Sequence, residues 1–149
     1  MLNPTFKDML VALNDAEAEY LVVGAYAMAA HGCPRSTGDI DFWVRATPEN
    51  AQRVWNALSS FGAPMFQISV DELSTPDVVF QIGVAPQRID VMTSISGVEF
   101  EDAWPHRLIA DLDGIRAGVI GRDQLLINKL ASGRPKDTLD VEILRSNHE

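Results

Sequence analysis

The segment that most constrains the fold is an apolar run that carries two aspartates, Asp39-Ile-Asp41-Phe-Trp-Val44. Side chains of a β-strand point alternately to the two faces of a sheet, so Asp39 and Asp41 share one face and Ile40 lies on the other. A second apolar run, Arg88-Ile-Asp90-Val-Met92, repeats this arrangement. Because like charges on one face repel one another, the chain must fold so that a counter-charge reaches these carboxylates.

Carboxylate oxygens are the ligands that hard divalent cations prefer. The pattern therefore predicts a metal site formed by Asp39, Asp41 and Asp90, which would hold two Mg²⁺ ions, with Mn²⁺ as an alternative. Two simpler interpretations stay open. Asp39 and Asp41 could lie on the solvent face of an edge strand, and Asp90 could be paired with Arg88.

A glycine between a strand and a helix precedes the aspartates. The run Tyr20–Val23 predicts a buried strand, and Gly24 lets the chain turn into a short helix over Ala25–His31. Backbone amides at the start of a helix can bind phosphate, since glycine permits close approach and the helix dipole favours negative charge. We therefore expect a phosphate site beside the carboxylates.

The chain as a whole has the composition of a globular domain. Its 149 residues are 46% hydrophobic, which is enough for a sizeable core. Tyr20–Ala30, the longest apolar stretch, is too short to cross a bilayer, and the acidic N-terminal segment does not resemble a targeting signal. Cys33 is the only cysteine, so an internal disulfide is excluded and the cytoplasm is the expected compartment.

The formal net charge of −9 is unevenly distributed. Residues 1–121 hold seven basic and 16 acidic side chains, whereas residues 122–149 hold five of each. An acidic body opposes non-specific binding of nucleic acid, whose affinity comes largely from cationic contacts to phosphate. A specific RNA held by basic residues near the C-terminus stays open.

Strand and helix signals alternate along the chain, and turn signals at residues 83–86 and 113–114 close two hairpins. The predicted strands are Tyr20–Val23, Asp39–Val44, Val78–Ile82, Arg88–Thr93, Leu108–Leu112 and Ile115–Ile120. The predicted helices begin near Pro4, Ala25, Pro48, Phe100, Arg122 and Pro135, with one further turn over Val70–Leu73.

This alternation predicts one α/β (α+β) domain over residues 1–149, with a mixed β-sheet flanked by helices. Its core spans about residues 18–121. A C-terminal helical pair follows over about residues 122–146.

The motifs with chemical potential occur together in a recognisable order. They are Gly24-Ala25, His31-Gly32, Arg35-x-Thr37, Asp39-Ile-Asp41, Arg88-Ile-Asp90, Lys129 and Arg134-Pro-Lys136-Asp137. In this combination the chain resembles the DNA polymerase beta-type nucleotidyltransferase superfamily over nearly its whole length. More narrowly, it is similar to small bacterial nucleotidyltransferase-like proteins related to abortive-infection toxins and minimal nucleotidyltransferases.

The resemblance implies transfer of a nucleoside monophosphate from an NTP to an acceptor, with release of pyrophosphate. It implies that Asp39 and Asp41 bind both Mg²⁺ ions, and that Asp90 binds the catalytic ion and helps to activate the acceptor. The nucleotide-binding residues that it implies are Gly24, Ala25, Arg35, Thr37 and Lys129, with Lys136 and Asp137 as further candidates. The chain departs from the family at Ala25, where serine or glycine is usual, so the backbone amide is kept and a hydroxyl contact is lost.

Four further side chains have both a functional and a simpler interpretation. We expect Lys129 to face the pocket, since the charge of a triphosphate exceeds what two Mg²⁺ ions neutralise; otherwise it is a solvent-facing helix residue. Lys136 and Asp137 are adjacent and cannot share a helix face. Trp43 falls on the aspartate side of its strand, where it is expected to pack at the rim rather than stack on a base.

The acceptor stays open among RNA or tRNA, a protein side chain and a small molecule. The lack of a separate acceptor-binding domain argues against a self-sufficient enzyme of the aminoglycoside-modifying kind. A role in toxin–antitoxin systems or phage defence follows from the resemblance alone. The main alternative is a degenerate domain that binds a nucleotide or a partner without catalysis; a sugar-nucleotide glycosyltransferase fits poorly, because such domains are generally much longer.

Overall fold

A computed structural model describes residues 2–33, 38–84 and 86–146. The strands are β1 (Tyr20–Val23), β2 (Ile40–Val44), β3 (Val79–Ile82), β4 (Ile89–Met92), β5 (Leu108–Leu112) and β6 (Ile115–Val119). The helices are α1 (Pro4–Asp15), α2 (Gly24–Ala30), α3 (Pro48–Phe61), α4 (Val70–Leu73), α5 (Phe100–Ala103), α6 (Arg122–Ser132) and α7 (Pro135–Ser146). Within these ranges, no helix is long and apolar enough to cross a membrane.

The six strands form one sheet in the order β3-β4-β2-β1-β6-β5. β2 runs parallel to β4, and β1 runs parallel to β6. The remaining neighbours, β1 with β2, β3 with β4 and β5 with β6, are antiparallel. The single domain with a mixed sheet, predicted from the alternation of strands and helices, is therefore confirmed.

The helix-start signals in the sequence act as expected. The Asn3 side chain caps α1 by accepting a hydrogen bond from the Phe6 amide at 2.8 Å. Ser69 and Glu72 form a capping box around α4. This box explains why a helix of one turn, over Val70–Leu73, is stable enough to form where predicted.

The helix predicted near Phe100–Arg107 is shorter than expected. α5 ends at Ala103, and a 3₁₀ turn over Trp104–His106 follows it. Pro105 has no amide hydrogen to donate to an α-helical partner, so the α-helix stops before it. The other differences between predicted and observed ends are one or two residues, as is usual at fraying termini.

The burial of β2 confines the polar site to one end of the sheet. Ile40, Phe42 and Val44 are completely buried on one face. On the opposite face Trp43 is only 1% exposed and packs edge-on against Phe100, with ring centroids 5.0 Å apart. Beyond Asp41 the strand therefore enters the core on both faces, and Trp43 is a packed residue as expected.

Candidate active site

The three aspartates meet where β1 ends and β2 and β4 begin. Asp41 lies beside Asp90 in the parallel register of β2 and β4, and beside Val23 in the antiparallel register of β1 and β2. Asp39 immediately precedes β2. All three carboxylates line one pocket of about 280 Å³, so the convergence expected from strand parity is present.

Gly24 allows the β1–α2 turn to approach the carboxylates. Its φ is 71°, in the left-handed region that favours glycine. A Cβ atom at this position would overlap Oδ2 of Asp41. Both the turn and its contact with Asp41 therefore require glycine, and the following residue, Ala25, is left lining the pocket.

Negative charge is crowded around Asp41. Burial raises the pKa of Asp41 to about 6, and the neighbouring carboxylates of Asp90 and Asp39 add to the shift. The positive charge of Lys136 opposes it in part. A cation placed among these carboxylates would relieve both the repulsion and the cost of burial.

Arg88 already supplies one positive charge at this point. Its Nε donates to Asp90 Oδ1 at 2.6 Å, and its Nη2 donates to Asp90 Oδ2 at 3.1 Å. Nη2 also lies 3.3 Å from Asp39 Oδ2, and the Arg88 backbone amide donates to Asp39 Oδ1 at 2.9 Å. The interpretation that pairs Asp90 with Arg88 is thus correct for this structure, and it concerns the same carboxylates as the predicted metal site.

The donor set suits a hard divalent cation in its chemistry. Asp39, Asp41 and Asp90 offer carboxylate oxygens at the start of two neighbouring strands. The pKa of Asp41 is raised first by burial and then by the neighbouring carboxylates, whose charge a cation would compensate. In the described parts of the chain, however, no three His, Cys, Asp or Glu side chains have the spacing of a preformed metal site. Metal ligation by these aspartates therefore stays a prediction and requires their side chains to shift.

The pocket also has a cationic wall, which comes from the C-terminal helical pair. Lys129 on α6, Arg134 in the following turn and Lys136 on α7 all line the pocket. Lys136 is exposed, whereas Lys129 is only 5% exposed. The alternative that made Lys129 a solvent-facing residue is therefore wrong, although its contact with phosphate stays a prediction.

A buried charge network fixes Lys129. Its ammonium lies 3.3 Å from Asp137 Oδ1 and 3.0 Å from Asp140 Oδ2. Arg134 Nε donates to the other oxygen of Asp137 at 2.7 Å. Burial alone would raise the pKa of Asp137, but hydrogen bonds from Arg134, Ser132 and Lys129 outweigh it and hold the pKa well below its usual range. Asp137 is thus a buried anchor of the α6–α7 pair.

Not every predicted nucleotide contact can be placed. Arg35 and Thr37 lie outside the described residues. Conversely, Arg88, Arg134 and Gly38 line the pocket although none was singled out as a site residue. Strand parity places Arg88 beside Asp90, so this signal was present in the sequence. A Cβ atom at Gly38 would overlap the Pro86 carbonyl oxygen, and that cross-chain contact has no local sequence signal.

Comparison with solved structures identifies the fold as that of nucleotidyltransferases. TM1012 of Thermotoga maritima, whose assignment as a nucleotidyltransferase is itself provisional, has a TM-score of 0.61 at 16% identity, with 98% of this chain and 94% of that chain covered. The lincomycin-bound lincosamide adenylyltransferase LnuA has a TM-score of 0.61 at 13% identity, with 99% and 98% covered. ANT(2'')-Ia in complex with adenylyl-2''-tobramycin has a TM-score of 0.64 at 12% identity, with 97% and 87% covered.

The sequence itself defines the family. Residues 2–145 match the model of the family described as "Nucleotidyltransferase of unknown function (DUF6036)". The chain therefore belongs to this family and is a nucleotidyltransferase. No protein of curated function matches it.

Proposed function

We propose that the pocket transfers a nucleoside monophosphate from an NTP to an acceptor hydroxyl in a Mg²⁺-dependent reaction. The observation that carries this proposal is the composition of the pocket. The carboxylates of Asp41 and Asp90, on paired strands, the turn at Gly24 and a cationic group from the C-terminal helices all line one pocket of about 280 Å³. A pocket lined by both carboxylates and cationic side chains meets the two needs of the substrate, metal ligation and phosphate neutralisation.

In the proposed reaction the acceptor oxygen forms a bond to the α-phosphorus of the NTP. The bond from that phosphorus to the bridging oxygen breaks, pyrophosphate leaves, and the acceptor proton passes to a carboxylate or to water. A divalent cation held by Asp39, Asp41 and Asp90 would lower the pKa of the acceptor hydroxyl and neutralise phosphate charge. Asp90, to which the resemblance assigns acceptor activation, lines the pocket and is only 8% exposed.

The cationic wall would position the triphosphate. Lys136 is exposed and lines the pocket, so its ammonium is free to follow a phosphate group. Arg134 keeps a contact with Asp137, which fixes the direction of its guanidinium. Lys129 is committed to Asp137 and Asp140 and is better suited to holding this wall in place than to binding phosphate directly.

The acceptor belongs to one of three classes: RNA, a protein side chain or a small molecule. The size of the chain is compatible with the last class, because this chain covers 98% of LnuA, whose structure contains lincomycin. A small hydroxylated molecule is therefore as eligible an acceptor as RNA or protein. The role in toxin–antitoxin or phage-defence systems would be tested by expressing the gene with and without its neighbours.

One observation favours a second candidate, a domain that binds nucleotide without transferring it. Arg88 engages both oxygens of Asp90, the residue assigned to acceptor activation. If that pairing persisted with substrate bound, Asp90 would be a poor metal ligand and proton acceptor.

The deciding experiment supplies α-labelled ATP, GTP, CTP and UTP in turn with Mg²⁺ and separated RNA, protein and small-molecule fractions of a cell extract. We expect label in one fraction with native protein and none with Asp90→Asn, which keeps the shape of the side chain. Glu142→Gln, on the exposed surface of α7, is the matched control and should transfer normally. Native protein that binds an NTP but labels no fraction would support the binding domain instead.

A further inference from the structure

The Arg88 side chain forms a bridge across two of the three carboxylates. Its planar fork covers both oxygens of Asp90, at 2.6 and 3.1 Å, and reaches Asp39 at 3.3 Å. Such bidentate, charge-assisted contacts are the strongest that a guanidinium makes. A guanidinium stays protonated in proteins, so the bridge carries a full positive charge.

These contacts involve the same oxygens that would ligate a divalent cation. A guanidinium and a metal ion are alternative counter-charges for Asp90, since both need its lone pairs in the plane of the carboxylate. No three acidic side chains of the described residues have metal-site spacing, and two of the three candidates are those held by Arg88. Metal entry and the Arg88 bridge therefore compete for these oxygens of Asp90.

We propose that Arg88 is a resident counter-ion that competes with the divalent cation for Asp90 and Asp39. This inference rests on the proposed function, because it presumes that a cation binds these residues. Loading the site moves the guanidinium off Asp90, and its 27% exposed side chain can do so without crossing the packed core. The backbone amide bond from Arg88 to Asp39 is unaffected by that movement.

Displacement of the guanidinium has a consequence for the nucleotide. Arg88 lines the same pocket as Arg134 and Lys136, so once released it adds a further positive charge for the triphosphate. Metal binding should then strengthen NTP binding through Arg88 as well as through the metal itself. This is a coupling free energy between two ligands, and it is measurable as such.

The test is a titration of the protein with Mn²⁺. Binding is measured by calorimetry or by the electron paramagnetic resonance signal of free Mn²⁺. We expect Arg88→Gln to bind Mn²⁺ about tenfold more tightly than native protein, which corresponds to about 1.4 kcal/mol. Lys136→Gln is the matched control, because it removes the same charge from the same pocket and forms no ion pair among the described residues. Its effect should be about threefold or less, the size expected from a screened charge. Arg88→Lys, which cannot form the bidentate contact, should lie between native and Arg88→Gln.

A second measurement separates competition from a purely structural role. Without metal, Arg88→Gln should melt at a lower temperature than native protein, because the carboxylates lose their counter-charge. Saturating Mn²⁺ should raise its melting temperature by more than it raises that of native protein. If Arg88 had only a structural role, Arg88→Gln would melt at a lower temperature without metal, but Mn²⁺ would not raise its melting temperature by more than that of native protein.

Three outcomes decide the matter. Tighter Mn²⁺ binding by Arg88→Gln than by Lys136→Gln supports the proposal, and it does so most strongly if native protein binds hardly at all. Native protein that binds Mn²⁺ no more weakly than Arg88→Gln overturns the proposal but leaves the metal site intact. Failure of both proteins to bind millimolar Mn²⁺ overturns the metal site itself, and with it the competition.

Discussion

Asp41 is a carboxyl group whose ionisation is disfavoured in the folded protein. Its pKa is raised to about 6, first by burial and then by Asp90 and Asp39. Between its ordinary value of 3.8 and about 6, the folded protein binds more protons at this site than the unfolded chain. Its contribution to the free energy of unfolding therefore falls as the pH rises through this window.

From this sign we expect Asp41→Asn to be more stable than native protein at about pH 7 without metal, because it removes an unfavourable charge. The difference should shrink toward zero below about pH 4, where the aspartate is protonated in both states. Urea unfolding across this pH range measures it, with Glu142→Gln as the exposed control. A gain in stability that does not change with pH would contradict the proposed crowding.

Glycine is needed at position 24 both for the backbone φ and for the close contact with Asp41, and mutation can separate these two requirements. Gly24→Ala introduces a side chain at a φ of 71° and against Asp41 Oδ2. Gly62→Ala, at the end of α3 with a φ of 96°, introduces backbone strain alone, since a Cβ atom there meets nothing within 4 Å.

We expect Gly62→Ala to cost about 1 kcal/mol of stability, the usual penalty for this backbone region, and to leave NTP binding unchanged. Gly24→Ala should cost more and should also abolish NTP binding, because it displaces Asp41. Chemical unfolding and NTP titration of the two variants test this. If Gly24→Ala and Gly62→Ala lost the same stability and the same NTP affinity, glycine would be needed at position 24 only for its backbone conformation.

At the scale of the elements, the α6–α7 pair is held by charges that the fold buries. Lys129 forms ion pairs with Asp137 and Asp140, whose carboxylates are buried. Removing one partner of such a group leaves an uncompensated buried charge, which typically costs about 3 kcal/mol. The pair therefore depends on Lys129 for its stability, whatever its role toward phosphate.

We expect Lys129→Met to lower the free energy of unfolding by about 3 kcal/mol, and the double variant Lys129→Met/Asp140→Leu to recover part of that loss. Lys136→Met, on the exposed face of α7, should change stability by less than about 0.5 kcal/mol yet weaken NTP binding. Denaturant unfolding and nucleotide titration distinguish the two lysines. If Lys129→Met kept full stability and lost only NTP affinity, Lys129 would be the phosphate ligand that the resemblance implies.

Local patterns in the sequence were sufficient for most of the fold. Period-two alternation predicts β2 and β4 and also places Asp41 and Asp90 on one sheet face. Capping residues mark the starts of α1, α3 and α4. The same patterns do not reveal the bridge from Arg88 to Asp39 or the burial of Lys129, because both depend on which distant elements pack together. Asp140, for example, is separated from Lys129 by a turn and more than two turns of helix.

At the scale of the molecule, the candidate site is divided between the two electrically different parts of the chain. The carboxylates come from the acidic body, residues 1–121, and three of the lining cations come from the balanced segment after residue 121. The net charge of −9 therefore conceals a pocket in which both signs of charge face each other.

The most direct test of this account is the stabilisation of the protein by Mg²⁺ and NTP together, measured as the shift in melting temperature for native protein and Asp41→Asn. The account predicts a clear rise for native protein with at least one of the four NTPs, since a ligand that binds only the folded state stabilises it. Asp41→Asn, although more stable without ligand, should respond weakly because it lacks a ligand of the metal–nucleotide complex. Equal stabilisation of the two proteins would contradict the account.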